Sequence, residues 1–490
     1  MAIGNFVKRI QDVMRNDAGV NGDAQRIEQI VWILFLKLYD AKEEDWELFN
    51  DNYKSIIPEG LKWRDWAVDK RDGEALTGDA LLDFVNNKLF PTLKELEIDE
   101  HTPVNQLIVR EAFQDVNNYQ KDGVLLRQVV NIIDEIDFTE YTERHQFGSI
   151  YESFLKDLQS AGNAGEFYTP RAVTDFMVKA VKPVLGERIG DFACGTGGFL
   201  TSALKELEKQ IESSVENKEI YDKSIYGIEK KSLPHMLCVT NMFLHDIDNP
   251  EIYHDNALEK DYKELRKMES FDVILMNPPY GGSEKESVKT NFPTELRSSE
   301  TADLFMSVIM YRLKRNGRAA VILPDGFLFG TDNAKINIKK KLMEEFNLHT
   351  VVRMPHSVFA PYTSIRTNIL FFDNTTPTKE TWFYRMDMPE GYKNFSKTRP
   401  MKLEHFNQVL DWWNDRNEIE IDGFYKSKKY KVEEIEENDY NIDLCGFPHE
   451  EEIILEPMDL IKEYQEKRTS LNNEIDHILE QIISKLGGNK

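Results

Sequence analysis

The sequence predicts an α/β chain: a doubly wound, mainly parallel sheet between a helical N-terminal domain and a long C-terminal helix. Three observations predict it. In the first 145 residues the apolar positions recur at helical spacing, as in Ile27, Ile30, Val31, Leu34 and Leu38. From about Gly186 short apolar runs alternate with helical stretches, the signature of strands joined by crossover helices. Near the C-terminus Ile461, Tyr464, Arg468, Leu471, Ile475, Ile478 and Ile482 step by three and four, a heptad seam with one polar member.

Taken in order, residues 72–79 form a loop holding Gly73 and Gly78, and helical patterns resume over Leu81–Leu89 and Val124–Ile136. Gly162, Gly165 and Pro170 mark a loop that enters a helix over Arg171–Val181. The strand runs are Arg188–Phe192, Ser224–Ile228, Phe271–Met276, Gly317–Leu323, His349–Met354 and Asn368–Phe372. After Phe372 the sequence turns polar and irregular, and Glu433–Asp439 is mostly acidic. Pro457 suits the first turn of the last helix, whose seam would run about 33 Å at 1.5 Å per residue. The seam suits either packing on its own domain or pairing with a partner chain. The resulting division is 1–145 helical assembly domain, 146–375 catalytic core, 376–456 acidic irregular extension, and 457–490 partner helix.

With 490 residues, 41% hydrophobic and 30% charged, the chain holds enough apolar material for packed cores, which rules out global disorder. Its longest apolar run, Ile30–Leu36, is far short of the roughly 20 residues a membrane span needs. The N-terminus lacks an apolar signal core, so a cytoplasmic location is expected. Cys194, Cys238 and Cys445 form neither a disulfide framework nor a metal-ligand spacing, and no metal is expected. The formal charge is −25, split as −12 over residues 1–150, −2 over 151–400 and −11 over 401–490. A chain that grips a polyanion unaided normally carries a basic field. Any nucleic-acid reading therefore needs a partner.

Two motifs carry chemistry. In Asp191-Phe192-Ala193-Cys194-Gly195-Thr196-Gly197-Gly198-Phe199 a strand ends at an acid and a glycine turn opens a helix, leaving backbone N–H groups for a ligand. Glu229, at the end of the next strand, is placed to accept both hydroxyls of a ribose. A dinucleotide site looks similar, but the D-x-x-x-G-x-G form favours S-adenosyl-L-methionine. The second motif, Asn277-Pro278-Pro279-Tyr280, follows the apolar strand Phe271–Met276 directly. An exocyclic amine shares its lone pair with the ring. Two acceptors, the Asn277 side-chain oxygen and the Pro278 carbonyl, would bond both N–H hydrogens and turn the lone pair toward a methyl donor. The prolines hold the carbonyl outward because neither can rejoin a ladder, and Tyr280 offers a face for an extruded base.

Upstream lies Gly165-Glu166-Phe167-Tyr168-Thr169-Pro170-Arg171, which by composition alone is a helix cap. With the other two motifs, and with Phe147-Gly148-Ser149-Ile150-Tyr151-Glu152 leading into it, the chain resembles the amino-adenine DNA methyltransferases, specifically the modification subunits of type I restriction–modification systems. The resemblance weakens after Phe372. It implies a Rossmann-like S-adenosylmethionine-dependent core. It also implies that Glu166, Phe167, Tyr168, Thr169, Pro170 and Arg171 wrap the methionine end of the cofactor. Asp191, Gly195, Thr196, Gly197 and Gly198 would form the turn against it, with Glu229 on the ribose and Asp255 on the adenine ring. Phe359, in Val358-Phe359-Ala360-Pro361-Tyr362-Thr363, is the implied second base-stacking aromatic. The implied partners are double-stranded DNA and a specificity subunit shared by two such chains, which a translocating endonuclease subunit can join.

Other readings stay open: a methyltransferase for protein glutamine amides, a self-contained adenine DNA methylase, or a non-enzymatic scaffold. Two basic clusters, Arg312, Lys314, Arg315 and Arg318 and then Lys335, Lys339, Lys340 and Lys341, read as solvated faces, with DNA phosphate contact as the alternative.

Overall fold

The computed structural model describes residues 3–69, 73, 75–158, 168–211, 215–396, 398–421 and 423–446, with twelve positions between Met458 and Leu479. Residues 1–446 and 447–490 form two units.

The first unit is built on a ten-stranded sheet. Its strands are β1 Ile189–Asp191, β2 Ile225–Glu229, β3 Ile252–His254, β4 Phe271–Met276, β5 Leu313–Pro324, β6 Asn347–Arg353, β7 Thr367–Asp373, β8 Glu380–Arg385, β9 Ile419–Ile421 and β10 Phe424–Lys431. They lie in the order β3-β2-β1-β4-β5-β7-β6-β8-β10-β9. β1 sits parallel between β2 and β4, so the ends of β1, β2 and β4 open on one edge of the sheet. The sequence order reverses at β1, the place where open α/β sheets bind ligands. The strand interiors are buried because Val273, Ile274, Leu275 and Met276 carry apolar groups to both faces.

Three features depart from the sequence reading. The run Asn368–Phe372 was expected to be one more parallel strand, but β7 runs antiparallel between β5 and β6. Composition fixes burial and not direction. The 354–366 connection carries no crossover helix, so it returns the chain antiparallel. β3 is only three residues long, too short to leave a periodic signal. The stretch after Phe372, read as irregular, instead extends the sheet: β8 lies parallel to β6, β10 antiparallel to β8, and β9 antiparallel to β10. Lysine-rich β10 has a single buried position, Ser427, with the rest half-buried or exposed, which masks the alternation of a strand.

The helical N-terminal segment packs directly on this sheet layer. The helix Asp23–Phe49 buries the expected stripe of Ile27, Ile30, Val31, Leu34 and Leu38. Its Phe35, Tyr39 and Trp46 close around Phe243 of the helix Ser232–Leu244, with ring centroids 6.1–6.4 Å apart. Lys42 reaches Asp248 at 2.9 Å and Arg144 reaches Asp246 at 2.7 Å across the same boundary. The expected helix over Leu81–Leu89 starts earlier, at Gly78, and continues through a π-helical turn, Phe84–Leu89. Val124–Ile136 matches the helix Gly123–Asp134.

The basic clusters divide: Arg312, Lys335 and Lys339 are buried, Arg318 and Lys341 half-buried, and Lys314, Arg315 and Lys340 exposed, as expected of a solvated face. Arg312 is buried, with its guanidinium 5.0 Å from the Phe192 ring and 5.1 Å from Phe271. Arg318 pairs with Glu187 at 2.8 Å and Lys314 with Asp272 at 2.7 Å. Buried Lys335 joins Glu300 and Asp303, both at 2.9 Å. Lys339 donates to the carbonyls of Leu328 and Gly330, both at 2.9 Å, and burial pushes its amine down to about 8. These cations are absorbed by fold contacts.

In the second unit every described position from Met458 to Leu479 is helical. The seam residues Ile461, Tyr464, Leu471, Ile475 and Ile478 are each more than half exposed. Ile482 lies outside the described residues. No helix among the described residues is long and apolar enough to cross a membrane.

Candidate active site

β1 delivers Asp191 to the open edge, and the chain then turns through Gly195 at φ +53° and Gly197 at φ +78° into the helix Gly198–Glu208. Positive φ explains glycine at both positions. The second glycine of the pair is there for space, since a Cβ on Gly198 would lie 2.0 Å from Arg171 Nη1. Glu229 closes the turn from β2, accepting the Gly195 N–H at 2.9 Å and the Lys231 N–H at 2.7 Å. Asp191 accepts the Ala193 N–H at 3.2 Å. Burial pushes the Asp191 carboxyl well above the usual carboxylate range, and the Glu229 charge raises it further.

β4 runs into Asn277. Its Oδ1 accepts from the Tyr280 hydroxyl, and its Nδ2 donates to Thr169 Oγ1 at 3.1 Å. The Phe359 ring stands edge-on to Tyr280, with centroids 6.4 Å apart and planes at 82°. A cavity of about 280 Å³ joins these groups. Tyr168, Gly195, Glu229 and Asp255 line it together with Asn277, Pro278, Pro279, Tyr280 and Phe359. Asp255 Oδ1 accepts the Asn256 N–H at 2.8 Å and Lys260 lies 3.7 Å from the carboxylate.

Thr169, Pro170, Arg171, Asp191, Thr196, Gly197 and Gly198 are not among the residues lining this cavity. Arg171 turns instead to Glu152, with bonds of 2.6 and 3.1 Å, and stands 5.0 Å from the centre of the Tyr168 ring. Glu152 also accepts from Asn241 Nδ2 at 3.3 Å, and the same Nδ2 donates to the Thr196 carbonyl at 3.2 Å. These side chains brace the glycine turn from behind. Thr196 Oγ1 is buried with no hydrogen-bond partner among the described atoms. Glu166 and Phe167 lie outside the described residues.

Lys230, Glu284 and Phe305 escaped the sequence reading, and Phe192 and Tyr362 stood inside its motifs without a role, yet all five line the wall. Lys230 pairs with Glu284 at 2.9 Å, bringing together loops 54 residues apart. Only the position of Lys230 beside Glu229 could have signalled it. Among the described residues no cluster of His, Cys, Asp or Glu could hold a metal ion.

A doubly wound sheet with a glycine turn after β1, an acid ending β2 and Asn-Pro-Pro-Tyr ending β4 defines the amino-methyltransferase class. Comparison with known proteins narrows it. The N-6 DNA Methylase family model matches residues 142–453, and the HsdM N-terminal domain model matches residues 3–133. The chain is 48% identical to the type I restriction enzyme EcoEI methylase subunit of Escherichia coli, over 100% of this chain and 99% of that one. A solved chain from a study of complex assembly and conformational transition of the type I R-M system superposes with TM-score 0.80 at 34% identity, covering 100% of this chain and 99% of that chain. A chain from Vibrio vulnificus YJ016, solved as a modification subunit of a type I restriction enzyme, gives TM-score 0.76 at 38% identity, covering 93% and 98%. The chain belongs to the methylase subunits of type I restriction–modification systems, adenine-specific N-6 DNA methyltransferases.

Proposed function

We propose that the cavity takes S-adenosyl-L-methionine on its Glu229 side and an extruded adenine on its Asn277 side, and that this chain methylates the adenine amine within duplex DNA. The observation that carries this reading is the Asn277 amide, whose oxygen is turned to Tyr280 at the cavity wall directly beyond β4.

The residues fit the cofactor. A carboxylate offers about four acceptor sites, and the backbone N–H groups of Gly195 and Lys231 use part of that capacity while fixing the orientation of Glu229. Glu229 is thus a fixed strand-end carboxylate suited to paired ribose hydroxyls. Gly195 lets the backbone approach without a Cβ. Asp255 lies on the same wall to receive a base edge. When bound, S-adenosylmethionine supplies an electrophilic methyl group on its sulfonium.

The rest of the chemistry belongs to this chain. Asn277 Oδ1 and the Pro278 carbonyl accept the two amine hydrogens, draw the nitrogen toward tetrahedral geometry and aim its lone pair. Pro278 and Pro279 keep the carbonyl out of any ladder. Tyr280 offers its ring face to the base, at about 1–3 kcal/mol per stacked base, and Phe359 stands edge-on beside it. Sequence reading falls to a separate specificity subunit serving two copies of this chain, with an endonuclease subunit able to join. The acidic flanks support that division, since they are poor DNA readers.

The experiment is methyl transfer by the chain with its specificity subunit on duplex DNA, followed by nucleoside mass analysis. N6-methyladenine at one sequence is expected. Label on a protein glutamine, or on cytosine, would overturn the reading.

A further inference from the structure

We propose that Thr169 is the positioning residue of the Asn277 amide, holding its nitrogen end so that its oxygen end faces the base. The inference rests on the reading of Asn277 as the amine's acceptor and names what sets that acceptor.

A carboxamide has two ends of nearly equal size, and only the oxygen accepts a hydrogen bond. A flipped Asn277 would present donors to an amine that itself has only donors to offer. The amide lies between two hydroxyls, Tyr280 on the cavity wall and Thr169 behind it. A phenol is the stronger donor and an aliphatic hydroxyl the stronger acceptor. The pair therefore orients the amide with oxygen toward Tyr280 and nitrogen toward Thr169.

The two holds differ once the base arrives. Tyr280 turns its ring to the base, and its hydroxyl must share Oδ1 with the incoming amine. Thr169 takes no part in lining the cavity, so its bond to Nδ2 persists with the base in place.

Thr169 is itself fixed. Pro170 follows it and begins the helix Arg171–Val181, with the N–H of Val173 at 2.9 Å from the Pro170 carbonyl. Arg171 Nη1 reaches back to the Thr169 carbonyl at 3.4 Å, while Glu152 holds the same guanidinium at 2.6 Å. The chain of contacts runs from Glu152 through Arg171 and Thr169 to Asn277. A segment expected only to wrap the cofactor thus also reaches the group that meets the base.

The test uses the full chain with its specificity subunit in single-turnover methylation, and calorimetry for cofactor affinity. Thr169→Val keeps the shape and removes the acceptor. It is expected to slow methylation about tenfold to a hundredfold, the scale of a misplaced reacting group, with cofactor affinity nearly unchanged. Thr169→Ser is expected to restore most of the rate, and Thr169→Val added to Asn277→Ala is expected to cost nothing more. Wild-type rate in Thr169→Val would overturn the proposal. So would cofactor affinity falling in step with rate, which would make Thr169 a cofactor ligand, or a further loss in the Asn277→Ala background. A Thr169→Val chain that binds no cofactor because it misfolds is replaced by Thr169→Ala, judged by the same criteria. Full turnover by Asn277→Ala alone would sink the underlying function instead, a separate outcome.

Discussion

Tyr280 performs two tasks that substitution can separate. Its hydroxyl donates to Asn277 and its ring meets Phe359 across the cavity. Tyr280→Phe keeps the ring, so capture of the extruded base is expected to survive. Tyr280→Ala removes the stacking face, and binding of DNA carrying a flipped base analogue is expected to weaken by about 1–3 kcal/mol. A fluorescent base analogue at the target position reads both variants. Glu229 is the other residue with a separable role. Glu229→Ala deletes an acceptor that two backbone N–H groups hold in place. Calorimetry is expected to show weakened cofactor binding by an otherwise folded chain. Unchanged affinity would remove Glu229 from the cofactor site.

At the scale of elements, the helix Val104–Phe113 places Glu111 against β3, where it accepts the His254 N–H at 3.3 Å. His254 Nε2 in turn lies 3.1 Å from the carbonyl of Lys230, a cavity residue. The groups facing Glu111 are His235, whose Nε2 is 3.7 Å away and whose pKa burial lowers to about 3, and Asp255. Burial first, and then the Asp255 charge, raise Glu111 to about 7. An acid raised in the fold lends stability that is complete below its unfolded value and lost as pH rises through the folded one. The window here runs from the ordinary glutamate value of 4.5 to about 7. Glu111→Gln is therefore expected to stabilise the chain above that window by up to about 3 kcal/mol and not below it. Thermal unfolding at two pH values checks this, and equal gains at both would contradict it.

The same scale shows what was legible in the sequence. The glycine turn and Asn-Pro-Pro-Tyr were readable because each follows an apolar strand directly, so burial pattern and motif locate one another. The stripe Ile27–Leu38 was readable because one helix face is a local property. Strand direction in β7 and the sheet-extending role of β8–β10 were not, because partners rather than composition decide them. Arg312 misled for a related reason: it is buried against Phe192 and Phe271, which lie far off in sequence, while the Leu328 and Gly330 carbonyls that hold Lys339 are near in sequence but meet it only through the fold of the intervening turn. The tie between Thr169 and Asn277 spans 108 residues and needed the fold to appear.

For the whole molecule the deciding quantity is charge. The chain carries −25, while duplex DNA carries one negative charge per about 1.7 Å. Some of the cations that could offset this near the core are already paired within the fold, Lys335 with Glu300 and Asp303 and Arg318 with Glu187. On the proposed function a basic partner brings the cavity to DNA, and the exposed seam of Ile461, Leu471, Ile475 and Ile478 is the apolar stripe proposed to meet it. Deleting residues 457–490 is expected to weaken assembly with the specificity subunit while leaving cofactor binding intact, read by gel filtration and calorimetry. Specific DNA binding by the isolated chain would show that a recognition element lies within these 490 residues.

The central claim is that the Asn277 amide activates the adenine amine without holding the cofactor, and the most direct test is Asn277→Ala in the assembled complex. Tritiated methyl transfer to target DNA and calorimetric cofactor affinity are measured on the same preparation. The expected result is a fall in methyl transfer of about 10²–10³, the cost of losing one positioned hydrogen-bonding group at a reacting centre, with cofactor affinity close to that of the unaltered chain. Full turnover by Asn277→Ala would contradict the account, as would a loss explained entirely by failure to bind cofactor.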